Sequence, residues 1–94
     1  MAQLEHSARR FHVLADPIRL RILLLLQEQE RCVGELCEKL KLSQPKISYH
    51  LKLMLVSGLI CRRTEGTWCY YRLTNDIESW VQKECSSLLK GNLV

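Results

Sequence analysis

Leu42-Ser43-Gln44-Pro45-Lys46-Ile47-Ser48-Tyr49-His50-Leu51-Lys52-Leu53-Met54 has the pattern of a helix anchored on one side and chemically equipped on the other. Ser43 suits an N-cap, and Pro45 suits a first turn, where its missing N–H would lack a partner anyway. Ile47, Leu51, Met54 and Leu55 fall on one face at helical spacing. Pro45, Tyr49 and Lys52 point the opposite way, with Lys46 and Ser48 on the flanks. Such a helix suits a DNA major groove, where base edges need short polar side chains and phosphates need cations. An ordinary solvated helix can carry the same outer face, so the flanking sequence has to separate the two.

Upstream, Val33, Leu36, Cys37 and Leu40 make a short amphipathic helix, and Lys41-Leu42 is a tight connection into the Ser43-capped one. Two short helices joined this way, the second polar outside, form a helix-turn-helix. Arg31-Cys32-Val33-Gly34 reads as a break with little helical character. Before it, Asp16-Pro17 starts a helix as N-cap and first-turn proline, running through Ile18, Ile22, Leu23, Leu25 and Leu26 to about Glu30. That helix is apolar on more than one side and is the expected central core element. Residues 4–15 read as a first helix.

Downstream, Ser57-Gly58 is a helix end. Residues 59–64 and 67–73 are β-rich and flank Glu65-Gly66, read as a two-residue hairpin turn with Arg62 and Arg63 near the tip. A hairpin after a recognition helix is a wing that reaches toward phosphates or the minor groove. Asn75 and Glu78 have capping-box spacing for a last helix carrying Ile77, Trp80, Val81, Cys85, Leu88 and Leu89. Its apolar stripe is expected to pack on the first helix or on a second subunit. The fold class is mostly α with a β-hairpin wing: a dimeric winged helix-turn-helix.

The 94 residues suit a single domain over 1–94, small enough to gain from dimerisation. An apolar content of 47% argues against disorder, and a net charge of +4 permits nucleic-acid binding. The longest apolar run, residues 22–26, is too short to cross a membrane, and no signal peptide is visible. Five cysteines, an odd number, argue for reduced thiols and a cytoplasmic location rather than a disulfide framework. No nucleophile–base grouping or phosphate loop points to an enzyme, and no organic cofactor is implied.

The chain resembles the ArsR/SmtB family of bacterial metal-responsive repressors. The resemblance rests on residues 14–23 (Leu-Ala-Asp-Pro-Ile-Arg-Leu-Arg-Ile-Leu), on Leu42 to Leu51, on Ser57-Gly58-Leu59-Ile60, and on Gly66-Thr67-Trp68 with Tyr71-Arg72-Leu73. It implies a homodimer joined by the first and last helices, sitting on double-stranded operator DNA and leaving when a ligand binds. The implied DNA-facing set is Ser43, Gln44, Lys46, Ser48, Tyr49, His50 and Lys52 on the recognition helix, with Arg62, Arg63 and Thr67 on the wing. Family members commonly carry arginine before the His-Leu pair; here that position is Tyr49. Tyrosine can donate a hydrogen bond or pack on a thymine methyl, so the departure bears on operator preference.

Arsenic-resistance members open the first helix of the motif with Cys-Val-Cys-x-Leu-Cys, whose thiolates take As(III) or Sb(III). Here the segment is Cys32-Val33-Gly34-Glu35-Leu36-Cys37, so the outer cysteines match and the middle one is Gly34. Cys32 and Cys37 are the implied ligands and As(III) or Sb(III) the implied inducer. A soft ion that wants three sulfurs finds two in this segment. The third place is open to another cysteine, a small thiol such as glutathione, or water. Cys37 lies on the apolar stripe, where packing also explains it, whereas Cys32 sits at a helix start, which favours the metal-binding thiolate. Residues five apart in a helix point about 140° apart, so one atom can bridge them if Cys32 stays outside the helix or the first turn loosens. With Glu65-Gly66 as the turn, Cys61 would pair with Tyr70 and Cys69 with Arg62, on opposite faces of the wing. Cys85 reads as a core or interface residue. The last helix has no histidine, which excludes the family's interfacial zinc site. Two rivals keep the fold: a redox trigger at the cysteines, and a DNA-binding module that senses nothing.

Overall fold

The computed structural model describes residues 2–91. The order is α1 (Ala2–His12), α2 (Pro17–Glu28), β1 (Arg31–Cys32), α3 (Val33–Leu40), α4 (Gln44–Val56), β2 (Ile60–Glu65), β3 (Trp68–Leu73) and α5 (Ile77–Gly91). The winged helix-turn-helix is present, with one strand more than expected. β1 adds to the hairpin to give an antiparallel sheet of order β1-β3-β2, with Arg31 opposite Tyr71 and Cys32 opposite Tyr70. The break expected at residues 31–34 is therefore strand, then helix, with Val33 and Gly34 already in α3.

Local chemistry explains most boundaries. Asp16 Oδ1 accepts the backbone N–H of Ile18 at 2.8 Å and of Arg19 at 3.1 Å, with Pro17 in the first turn of α2. α1 ends at His12 and not Ala15, the chain leaving through short bonds from Val13, Leu14 and Ala15 back to Arg10, Phe11 and His12. α4 closes on Gly58 at φ +80°: Leu59 N–H reaches the Met54 carbonyl at 3.2 Å and Gly58 N–H the Leu55 carbonyl at 3.1 Å. α5 is capped by Asp76, which accepts from Ser79 N at 2.8 Å and Ser79 Oγ at 2.9 Å. The box expected from Asn75 and Glu78 is thus one residue late, because Asp76 brings its own partner.

The wing register also differs by one turn position. Glu65 pairs with Trp68, Cys61 with Arg72 and Thr64 with Cys69, so the turn is Gly66-Thr67. Among the turn residues positive φ falls on Gly66 alone, the pattern of a type II′ hairpin with glycine first. Glu65 stays in the strand, where it pairs with Arg63 at 2.7 Å. Cys61 and Cys69 still lie on opposite faces, since the register moves by an even step.

The core joins Ile22, Leu23 and Leu26 of α2 to Leu36 and Leu40 of α3 and to Ile47, Leu51 and Met54 of α4. The sheet adds Ile60 and Tyr71, and α5 adds Trp80. α2 is central on one side only; Leu20 and Leu24 are 45% and 62% exposed. α5 packs on α1 through Arg10 Nε–Glu84 Oε1 at 2.6 Å and an edge-to-face contact of Phe11 with Trp80 at 6.3 Å. Replacing the α2 cap, Asp16→Ala, should cost about 1 kcal/mol of stability, read as a lower urea midpoint. An unchanged midpoint would show that the cap contributes nothing.

Candidate nucleic-acid interface and thiol cavity

α4 divides as its spacing dictates. Ser43 caps it, its Oγ accepting Lys46 N–H at 3.4 Å. Ile47, Leu51 and Met54 are buried, while Gln44, Pro45, Lys46, Ser48 and Lys52 are exposed and Tyr49 is 61% exposed. His50 departs from the expected outward set. It is 6% exposed, and its Nδ1 lies 3.2 Å from a terminal nitrogen of Arg19. Arg19, itself buried, also donates through Nε to the Val13 carbonyl at 2.7 Å and through its other terminal nitrogen to the His12 carbonyl at 3.4 Å. His50 therefore ties the recognition helix to the α1–α2 junction and offers nothing to a groove. Its spacing puts it between the two faces, and Arg19 draws it inward.

The two wing arginines part company. Arg62 is exposed and shares its face with Thr64, Cys69 and Tyr71. Arg63 lies on the other face, held by Glu30 through Nε at 2.9 and 3.0 Å and Nη2 at 2.7 Å, and by Glu65 through Nη1 at 2.7 Å. Its guanidinium stacks 4.6 Å from the Tyr70 ring centre. Hydrogen bonding from Arg63 holds the Glu30 carboxyl below its ordinary range, and the same bonds raise Arg63. Arg63, expected as a phosphate contact, is already neutralised by two carboxylates. The sequence concealed this because Glu30 is 33 residues away. Thr67 is exposed at the turn, and Trp68 beside it is 60% exposed.

Between α3, α4 and the wing lies a cavity of about 570 Å³. Cys32 and Cys37 line it from one side, Gln44 and Ser48 from α4, and Thr67 to Cys69 from the wing. Cys32 is the last residue of β1 and the N-cap of α3, with extended φ −90° and ψ 168°, so it stays outside the helix as a shared site with Cys37 requires. Its N–H donates to Glu35 Oε1 at 3.1 Å. The Cys32 N–H, followed by its thiol, keeps the Glu35 carboxyl below its ordinary range. The cysteines are free thiols. Among the described residues, no three His, Cys, Asp or Glu side chains are gathered tightly enough to hold an ion. Cys69 also lines this cavity, which spacing along the chain does not show; its alternation with the buried Tyr71 on one face of β3 is the available signal.

A helix-turn-helix followed by a wing over a shared cavity defines a winged-helix regulatory protein. The chain belongs to the bacterial regulatory proteins of the arsR family, whose model matches residues 16–61. It is 51% identical over 74 residues to the arsenical resistance operon repressor of Escherichia coli K12, covering 78% of this chain and 63% of that one. It therefore spans less than two thirds of that relative's length. It is 41% identical over 83 residues to the arsenic resistance transcriptional regulator ArsR2 of Pseudomonas putida KT2440, covering 87% and 72%. The homodimeric winged helix-turn-helix DNA-binding domain Mb0332 of Mycobacterium bovis superposes with a TM-score of 0.75 at 30% identity, covering 99% of this chain and 90% of that domain.

Burial pushes His50 below the ordinary value of 6.5, with Asp16 opposing and Arg19 and Lys46 reinforcing. Folding thus favours neutral His50, and this contribution is complete above pH 6.5 and is lost as the pH falls below it. Urea denaturation at about pH 7.5 and about pH 5.5 should show a loss of stability that shrinks in His50→Gln. An equal loss in both proteins would remove His50 from the account.

Proposed function

We propose that the chain is an operator-binding transcriptional repressor, working as a homodimer, that releases DNA when As(III) or Sb(III) binds the thiolates of Cys32 and Cys37. The observation that carries this is the shared cavity: both thiols line the space that Gln44 and Ser48 of the recognition helix also line. The relatives named for arsenic resistance support the choice of ion. The DNA-facing set becomes Ser43, Gln44, Lys46, Ser48, Tyr49 and Lys52 on α4 with Arg62 and Thr67 on the wing.

The route from ion to DNA is short. Leu42 N–H donates to the Cys37 carbonyl at 3.3 Å, and Lys41 turns the chain in a left-handed conformation at φ 57°. A thiol-bound ion that shifts the start of α3 therefore acts on the turn that sets α4. A coupling of about 1–3 kcal/mol lowers operator affinity roughly 5- to 150-fold. The domain dimerises through α1 and α5, which carry exposed Leu4 and Leu89, as suits a small chain. Mb0332, of the same fold, is homodimeric.

Fluorescence anisotropy on labelled operator tests the reading. Arsenite or antimonite should release the wild type and leave Cys32→Ser and Cys37→Ser bound; release of all three proteins alike rejects the site. Release by peroxide with indifference to arsenite assigns the cysteines to a redox trigger instead. On the DNA side, Arg62→Ala should weaken binding to every sequence and reduce the log–log salt slope by about 1, whereas Arg63→Ala should move it less. Tyr49→Ala should change the ranking of operator variants, and an unchanged ranking would place Tyr49 off the bases.

A further inference from the structure

We infer that Cys69 of the wing supplies the third sulfur for the ion, so that the ligand joins α3 to β3. The inference rests on the metalloid reading of Cys32 and Cys37. Three cysteines line the one cavity: Cys32 at the N-cap of α3, Cys37 one turn further on, and Cys69 in β3. Cys61 and Cys85 do not line it. Strand pairing explains the placement. Cys32 is opposite Tyr70, the neighbour of Cys69, and strand spacing and rise put the Cys32 and Cys69 Cα atoms about 6 Å apart. In an unbroken ladder those two side chains would diverge. Here β1 ends at Cys32 and the chain turns into α3, and both residues line the same space.

Charge and softness suit the assignment. Glu35, which does not line the cavity, is occupied by the Cys32 N–H, and besides the thiols the cavity wall is amide, hydroxyl and apolar or aromatic. A soft trivalent ion selects sulfur from such a wall. Gly34 leaves the third place unfilled within α3: a Cβ there would have Cys32 Sγ at 4.0 Å and nothing closer. The exchange balances without redox chemistry. Arsenous acid, As(OH)₃, gives up three As–O bonds for three As–S bonds, and the three thiol protons leave with the three hydroxides as water. Arsenic remains trivalent. Among the described residues no three such side chains are gathered as an ion site, so on this inference the thiols converge when the ion arrives and draw the wing toward the start of α3. Because Gln44, Ser48 and Thr67 line the same cavity, that closure changes the spacing between recognition helix and wing, the two elements that must meet one stretch of DNA.

Arsenic-edge X-ray absorption on the full chain with arsenite, in a phosphine reductant free of small thiols, reads the donor set directly. The wild type should show three sulfurs per arsenic and Cys69→Ser two sulfurs and one oxygen, with at least a tenfold higher arsenite requirement for operator release. Adding Gly34→Cys to Cys69→Ser, or adding glutathione, should restore three sulfurs, and operator binding by Cys69→Ser without arsenite shows that the variant is folded. Two sulfurs in the wild type, or three in Cys69→Ser without added thiol, overturns the role of Cys69 and leaves the Cys32–Cys37 sensor standing. No arsenic–sulfur binding in the wild type overturns both.

Discussion

An arginine that is 4% exposed, Arg31, fastens the end of the molecule that holds the cavity. Arg31 donates through Nε to the Leu25 carbonyl at 3.0 Å and through Nη2 to Glu28 at 2.7 Å, and Glu35 lies 3.9 Å from Nη1. A buried charge is tolerated when it is paired, and removal of such a partner costs far more than an exposed pair is worth. Arg31 closes the Leu25 carbonyl near the end of α2, enters the sheet opposite Tyr71 and approaches the first turn of α3. It thereby fixes Cys32 as strand residue and helix cap at once. The pairing of Arg31 and Cys32 with Tyr71 and Tyr70 holds the same two residues in the sheet.

A second buried arginine does the same from behind. Arg19 gathers the His12 and Val13 carbonyls just where α1 ends, and its contact with His50 holds the inner face of α4. The recognition helix is therefore positioned from two directions, through the α3 turn and through α2. Both ties are polar and directional, so α4 rotates or slides only if one of them breaks. Apolar packing of Ile47, Leu51 and Met54 alone would permit small slips.

The helices, their caps at Asp16 and Ser43 and the helix-turn-helix were legible because they rest on local spacing and side-chain-to-backbone bonds a few residues long. What escaped depended on partners distant in sequence. β1 is a strand of two residues, too short for any alternation, and exists because Tyr70 and Tyr71 pair with it. His50 is pulled inward by Arg19, and Arg63 is neutralised by Glu30. The hairpin turn lies one residue later than spacing predicts, since glycine fits either central position and the strand pairing of Glu65 with Trp68 decides between them. The thiols of Cys32 and Cys37 were visible as a motif. Spacing sets Cys69 against Cys61 on the other strand of the hairpin, whereas the cavity it lines is shared with Cys32 and Cys37.

The placement of the two tryptophans has a spectroscopic consequence. Trp68 stands largely in solvent at the wing turn, and Trp80 is 4% exposed between the terminal helices. Among the described residues the Trp80 indole N–H meets no hydrogen-bond acceptor, and Phe11 lies edge-on with the Arg10 guanidinium 5.5 Å from its ring centre. The chain thus carries two tryptophans in opposite environments, one at the wing turn and one between the terminal helices. Emission from Trp68 reports contact at the wing, and emission from Trp80 reports the state of the α1–α5 pair. A collisional quencher reaches the first and not the second, so the two surfaces can be followed separately in an unlabelled protein.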